Sequence, residues 1–460
     1  MIKMAATEIS RIMGGSYCGD QALQIEREFH FDSRQITPGS VFIALQGESQ
    51  DGHDFVQSAI DNGALLSIVN RKVPGNYILV DDVLIGIAKL ATEIRRQLTN
   101  TKIIAITGSQ GKTTTKDMLY SILSSQGDCI APVGSYNNDI GVPITLLKCK
   151  ESTRYCILEM GARHMGDISR LTNIASPDVG VVLKVGTAHL GEFGSREKIA
   201  ETKGELIRGL RPGTTAVLGT YDEFTPKMNS NNSIRTITFG ETTSCAIRAA
   251  DLELHGGHAA FDLVTPESRE HVELQLLGLH QVANALAAAA AAFAVGISTA
   301  DIAAALSTHQ NASKWRMELF ELEGMTLIND AYNANPESVS AALRTLALLT
   351  QERGGNSWAF LAKMHELGDE SEQLHREIGR LAGDLGIDHL VVIGERSYIS
   401  PEISSSTTVH FYPNQTGALE LLQRFDSGDV VLVKASRAEH LEVIAEQIVA
   451  SWSARMGEES

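Results

Sequence analysis

The sequence predicts an α/β protein of three domains in series. These are a small α/β unit over residues 1–82, a central, mostly parallel sheet with an antiparallel patch over 83–309, and a doubly wound unit over 310–460. Three observations carry this expectation. At 460 residues the chain exceeds the size at which a single apolar core stops growing. Strand-like apolar runs alternate with helix-period segments in two separate stretches, the pattern of parallel strands joined by crossover helices. Between those stretches, residues 213–278 alternate apolar and polar side chains around glycine turns, as antiparallel strands do.

In the first unit the short runs SVFIAL, LLSIV and YILV read as strands, with a helix at HDFVQSAIDNG between two of them. From Asp82, DVLIGIAKLATEIRRQL carries apolar residues at helical spacing and leads into KIIAIT, so this helix is the expected bridge to the second unit. There, strands end at Thr107, near Glu159 in YCILEMG, and before His189 in DVGVVLKVGTAH. TTAVLG, IRTITFG, HAAFDLV and HVELQLLG form the expected antiparallel patch, and an alanine-rich helix from about Val282 to Val295 closes the unit at Gly296. After residue 310, MTLIND, SWAFLA, HLVVIG and DVVLVKAS read as strands, separated by the helical patterns ESVSAALRTLALL, EQLHREIGRLAGDL and ALELLQRF. The tail MGEES is expected to fray.

A formal charge of −17 argues against a protein that grips nucleic acid, so an anionic ligand has to be met locally by backbone amides and a few placed cations. The amino terminus has no long apolar core before a small-residue cleavage site, and NALAAAAAAFAVG is too short to span a bilayer. Five scattered cysteines without CxxC spacing fit reduced thiols. The expectation is a cytoplasmic monomer without membrane insertion.

The stretch IAITGSQGKTTTKD runs from a β-branched strand through Gly108 and Gly111 into Lys112 and three threonines. A strand, a tight glycine turn and a helix opening on Lys-Thr gather free backbone N–H groups around one point, which suits a phosphate. Lys112 would neutralise the outer phosphate oxygens while the Thr113 hydroxyl reaches a magnesium ion. The commoner pattern has one more glycine; here that position is Ile106, and the loop is the shorter TGxxGKT. Its bland alternative is a strand-to-helix turn without a ligand. Parallel sheets bind ligands beyond the carboxyl ends of their strands. Glu159 and His189 are expected there beside the loop; alone each reads as a solvated side chain, together as metal ligands.

Lys203 is less expected. In SREKIAETKGELIRGL, with Ser195 as N-cap, the apolar stripe is Ile199, Leu206, Ile207 and Leu210, and Lys203 falls on that stripe. A buried ammonium is costly, so it snorkels, pairs with an acid, or is chemically changed.

The segments TGSQGKTTTK, NNDIGVP, LEMGARHMGDI, GTAHLGEFGSREKIAETKGE, NALAAAAA, RMELFE, NDAYNANPES and KASRAEHLE, spread from about Asp32 to Leu441, resemble the Mur ligases of peptidoglycan synthesis. GTAHLGEFGS, NNDIGVP and YNANPES in this order resemble the branch that adds D-alanyl-D-alanine. The resemblance implies a domain binding the UDP portion of a substrate, a central P-loop ATPase domain, and a Rossmann-like carboxy-terminal domain that closes over the site. It implies an ATP-dependent ligase joining D-alanyl-D-alanine to UDP-N-acetylmuramoyl-tripeptide through an acyl phosphate. Thr107, Gly108, Ser109, Gln110, Gly111, Lys112, Thr113 and Thr114 would hold ATP, with Asn284 at the adenine, Arg316 at the γ-phosphate and Asp330 reaching the nucleotide from the closing domain. Thr113, Glu159 and His189 would ligate magnesium. Lys203 matches a carbamylated lysine that ligates a second magnesium ion. Lys112, Lys203, His189 and Arg316 form the implied catalytic set. Ser33 and Arg34 match the UDP-binding segment, and Asn137, Asn138, Tyr332 and Asn333 the substrate contacts.

Some positions depart from the family's usual pattern. Leu183 and Lys184 stand where Thr-Asn precedes GTAH, Ala362 and Lys363 where Gly-Asp is usual, Ala435 replaces the glycine of KGSR, and Gln281 replaces the commoner asparagine after His280. The alternatives are a ligase of the same superfamily adding a diamino acid or a glutamate, such as folylpolyglutamate synthetase, and a nucleotide-binding homologue impaired in catalysis. The FDSR segment favours a UDP substrate over a folate, and the lack of a DNPR signature argues against the diamino-acid ligase.

Overall fold

A computed structural model describes residues 1–47, 50–310 and 313–459. The expected boundary at 309/310 borders residues 311 and 312, which lie outside the described residues. In the first unit, five strands run in the order Ser16–Cys18, Tyr77–Leu79, Leu66–Val69, Val41–Ile43, Phe29–His30. All neighbours are parallel except the first pair. The bridging helix spans Val83–Gln97 and is capped by Asp82, whose side chain accepts from Ile85 N at 2.9 Å. Its buried face is Val83, Gly86, Ile87, Leu90, Ala91 and Ile94, in which each residue has another three or four positions away. That face joins Ile9, Met13 and Phe29 of the first unit to Ile103, Leu146 and Leu171 of the second, so one apolar core runs through both.

The second sheet has nine strands, and its middle explains the site. Lys102–Thr107 lies between Tyr155–Glu159 and Val179–Val182, both parallel to it. Glu159 is level with Ile106, and Val182 with Thr107. The strands that lead to Glu159 and to His189 therefore flank the glycine loop at one carboxyl edge, as an open parallel sheet requires of a binding crevice. The expected antiparallel patch is smaller and further along the chain. Thr215–Gly219 and Arg235–Gly240 continue the parallel order, and only Ile247–His255, His258–Val264 and Arg269–Leu277 pair antiparallel. The misreading has a physical cause: TTAVLG is buried along its whole length, and burial on both faces belongs to parallel strands. The alanine-rich helix spans His280–Ala294; its small side chains let it lie against the sheet with Ala285–Ala292 fully buried.

The third sheet orders its six strands as Glu318–Leu322, Met325–Asp330, Val430–Lys434, Ser357–Leu361, His389–Ile393, Thr408–Tyr412. All are parallel except the first pair. The pattern ALELLQRF, read as helical, is mostly a 3-10 segment, Leu419–Arg424, preceded by a short α-turn at Gln415–Ala418. The final helix extends over Glu442–Glu459, so residues 456–459 of the segment expected to fray continue it, and Ser460 lies outside the described residues.

Candidate active site

The glycine loop opens onto the helix Lys112–Ser124 through Gly111, whose φ of 79° is left-handed. A Cβ there would meet Asn284 Oδ1 at 2.1 Å, and one on Gly108 would meet the Leu183 side chain at 2.8 Å, so both glycines are needed for close packing. Lys112 Nζ donates to Gly108 O at 2.9 Å, folding back over the loop. Burial pushes its pKa down, with Arg316 adding to the effect and Glu159 opposing it. Thr107 lies beneath, its hydroxyl donating to Met160 O at 2.8 Å.

Glu159 is 1% exposed and bridges two predicted residues: Thr113 Oγ1 donates to its Oε2 at 2.9 Å and Asn137 Nδ2 to its Oε1 at 2.8 Å. Two oxygen donors from separate elements, Thr113 and Glu159, thus face one point beside the loop. No three His, Cys, Asp or Glu side chains among the described residues form a metal-holding group of their own. Hard oxygen donors that are few in number suit Mg²⁺, which prefers to complete its octahedron with water and substrate phosphates.

His189 has a left-handed backbone, φ 63°, unusual outside glycine and frequent where function holds a residue in place. Its Nδ1 lies 2.6 Å from Glu366 Oε2 of the third unit, off the axis of a good hydrogen bond. The proximity of His189 holds the Glu366 carboxyl below its ordinary range. Gly191 N donates to Glu366 O at 3.1 Å, so the third unit grips the loop after His189 by backbone as well as side chain.

Lys203 lies on the helix Arg196–Arg208, capped by Ser195, and is 4% exposed. It does not snorkel, and no acid among the described residues lies within ion-pair distance of it. Burial, with Lys112 second, pushes its pKa down to about 7. Desolvating an unpaired ammonium costs several kcal/mol, which neutralising the amine avoids. A neutral amine at physiological pH is a nucleophile.

The third unit reaches over the loop. Glu337 accepts from Thr187 N at 2.7 Å, Thr187 Oγ1 at 2.8 Å and Gln110 Nε2 at 3.0 Å, and Gln110 Nε2 also donates to Asn335 Oδ1 at 2.9 Å. Asn335 caps the helix Pro336–Arg353 in a capping box, which fixes where Glu337 points. Lys434 donates to Asp330 and to Asn333 O. The Arg316 guanidinium stacks 3.9 Å from the centre of the Tyr332 ring. Its neighbours Trp315 and Met317 are both left-handed, φ 59° and 50°, at a cost on the order of 1–3 kcal/mol each. Bonds from Tyr332 N to Trp315 O, 3.0 Å, and from Met317 N to Asp330 Oδ1, 3.1 Å, hold that segment.

Between the second and third units lies a polar cavity of about 280 Å³. It brings together Ser109, Gln110, Gly111, Lys112, Thr113, Thr114, Asn137, Glu159, His189, Asn284, Arg316, Asp330, Tyr332 and Asn333. Thr107, Gly108 and Lys203 do not line it. Asn138 does not line it; its side chain accepts from Ile140 N at 3.2 Å and Gly141 N at 3.1 Å. Ser33 and Arg34 are also outside it, in the first unit, where Arg34 pairs with Asp32 at 2.8 Å and holds that carboxyl down to about 2. A second, mostly apolar cavity of about 630 Å³ adjoins the first, walled by Leu183, Phe239, Leu254 and Ala283 on one side and Ala341 and Leu348 on the other. Sequence reasoning assigned no role to Glu337, Lys434 or His280. Glu337 was within reach, since it sits in the quoted segment YNANPES beside a helix-start signature; His280, whose pKa burial lowers to about 4, carries no local signal.

A phosphate loop, an acid at the neighbouring strand end and a third domain docked over both define a nucleotide-using α/β enzyme built across a domain interface. Models of Mur ligase domains match three stretches: the Mur ligase family catalytic domain over 29–89, the middle domain over 106–292 and the glutamate ligase domain over 315–437. The UDP-N-acetylmuramoyl-tripeptide--D-alanyl-D-alanine ligase of Mycobacterium tuberculosis is 38% identical over 98% of both chains. Among solved structures, MurF from Acinetobacter baumannii is 34% identical, covers 97% of this chain and 99% of its own, and superposes with a TM-score of 0.87. MurF from Thermotoga maritima in complex with ADP is 30% identical, covers 93% and 98%, and has a TM-score of 0.79. The chain belongs to the Mur ligase family.

Proposed function

We propose that this protein is an ATP-dependent ligase that joins D-alanyl-D-alanine to UDP-N-acetylmuramoyl-tripeptide in peptidoglycan precursor synthesis, releasing ADP and phosphate. The observation that carries the reading is the polar cavity, in which the loop, Glu159, Arg316 and the docked third unit converge. Full-length similarity to ligases of that name supports the substrate pair over the diamino-acid and folate alternatives.

The chemistry follows from charge. A carboxylate attacking a triphosphate brings anion to anion, so the site must neutralise charge that builds on the transferred phosphoryl group. Loop amides and Lys112 hold the outer phosphates, and Arg316 approaches from the third unit. Thr113, Glu159 and His189 are the side chains that would hold Mg²⁺, which would supply charge neutralisation to the phosphates. The attacking oxygen takes the γ-phosphoryl group, ADP leaves, and the peptide is held as an acyl phosphate. The amine of D-alanyl-D-alanine then attacks that carbonyl; the tetrahedral adduct loses phosphate and a proton to give the amide. Water would destroy the acyl phosphate, and the contacts of Glu337 and Glu366 keep the third unit closed over it. The amine of Lys203, its pKa lowered to about 7, can add CO2 and release a proton to solvent to form a carbamate, which would offer an anionic oxygen ligand.

Phosphate release tests the reading. It should require UDP-N-acetylmuramoyl-tripeptide and D-alanyl-D-alanine together, and mass spectrometry should find the pentapeptide product. Release that is indifferent to both substrates would indicate a nucleotide-hydrolysing homologue instead. Running the assay with lysine- and diaminopimelate-containing tripeptides identifies the third peptide residue.

A further inference from the structure

Gln110, Gly111, Lys184, Asn284 and Glu337, together with His280 and Ala341, line both cavities and form the neck between them. A nucleoside triphosphate with its base in the apolar chamber and its outer phosphates on the loop must pass that neck at the ribose and the first phosphate. Two side chains of this group carry charge, and they are not equivalent. Glu337 is committed to Thr187 and Gln110 by three hydrogen bonds. Lys184 is fixed at its backbone, where its carbonyl accepts from Ser109 N at 3.0 Å. Its ammonium has neither a hydrogen bond nor a carboxylate within ion-pair distance among the described residues. The two acids that act on it are Glu337 and Asp222, and Asp222 is taken up by Val185 N, Phe224 N, Thr225 N and Thr225 Oγ1 at 2.7–2.8 Å. Burial lowers the pKa of Lys184, so an anionic partner at the neck would restore its charge.

We infer that Lys184 is a nucleotide-binding residue whose ammonium meets the phosphate nearest the ribose, at the opposite end of the chain from Lys112 and Arg316. This rests on the ATP-dependent reading above and extends it to a position where the family resemblance gives no cation. A contact made alike in the bound and reacting states raises the affinity for nucleotide without changing turnover.

The test is calorimetric titration of the full-length protein and of Lys184→Met, Lys184→Gln and Lys184→Arg with ADP and, separately, with adenosine. Expected are a loss of about tenfold or more in ADP affinity for the Met and Gln variants, the size of one charge-assisted contact, with most affinity kept by Arg. Adenosine, which has no phosphate, should bind all four proteins alike, and KM for ATP should rise at unchanged kcat. The Gln variant, close in length and polar, serves if the Met variant does not fold. ADP affinity unchanged in both neutral variants overturns the inference, as does an equal loss of ADP and adenosine binding. Absence of ADP binding by the unaltered protein would instead overturn the ATP-dependent reading itself.

Discussion

At the scale of single residues, Lys203 sets the sharpest expectations. Its apolar stripe was readable from spacing alone, because helix periodicity decides which face is buried; what surrounds it was not, because Lys112 comes from another element. Replacing it by alanine should lower ligation by at least about a hundredfold, measured as phosphate release with both substrates, and a short-chain carboxylic acid should restore part of it. Full activity of Lys203→Ala would remove the carbamate. Linkage gives an independent check. The folded-state pKa is depressed to about 7 from the usual lysine value of 10.5. Between those values the unfolded chain holds the extra proton, so the cost of burying the charge, complete below about pH 7, is relieved as pH rises. In CO2-free buffer, urea unfolding should show the protein gaining stability relative to Lys203→Met between pH 7 and 9. Parallel pH profiles for the two would rule out the depressed amine.

At the scale of elements, the strand-loop-helix unit around Gly108 and Gly111 was legible because its chemistry is local: a turn, a helix start and a cation within a few residues. Gly111→Ala should cost about 1–2 kcal/mol from its left-handed backbone alone. It should cost nucleotide binding as well, since the new methyl group displaces Asn284. A thermal melt and an ADP titration measure the two effects, and wild-type values in both would refute the packing argument. The strands Glu318–Leu322 and Thr408–Tyr412 escaped the reading because both are half-exposed edge strands whose pairing partner supplies the order that their own sequence does not. The segment ALELLQRF shows the converse: helical periodicity was present, yet most of it winds as the tighter 3-10 run Leu419–Arg424.

At the scale of the whole molecule, the active site belongs to the interface between the second and third units, and that was the least legible part. Glu337 meets Gln110, and Glu366 meets His189, across more than 150 residues of chain, and no spacing rule reaches that far. Glu337→Ala removes three hydrogen bonds to a charged acceptor, so KM for ATP should rise by roughly tenfold, and small-angle scattering should show a more extended particle. An unchanged scattering profile together with an unchanged KM would mean that these contacts do not hold the units together. By contrast, the first two units share one apolar core that runs through the helix Val83–Gln97. Mechanically, then, the protein has an anvil and a hammer: under a stretching force the first 300 residues should yield in one event, after the lighter carboxy-terminal piece has already swung free.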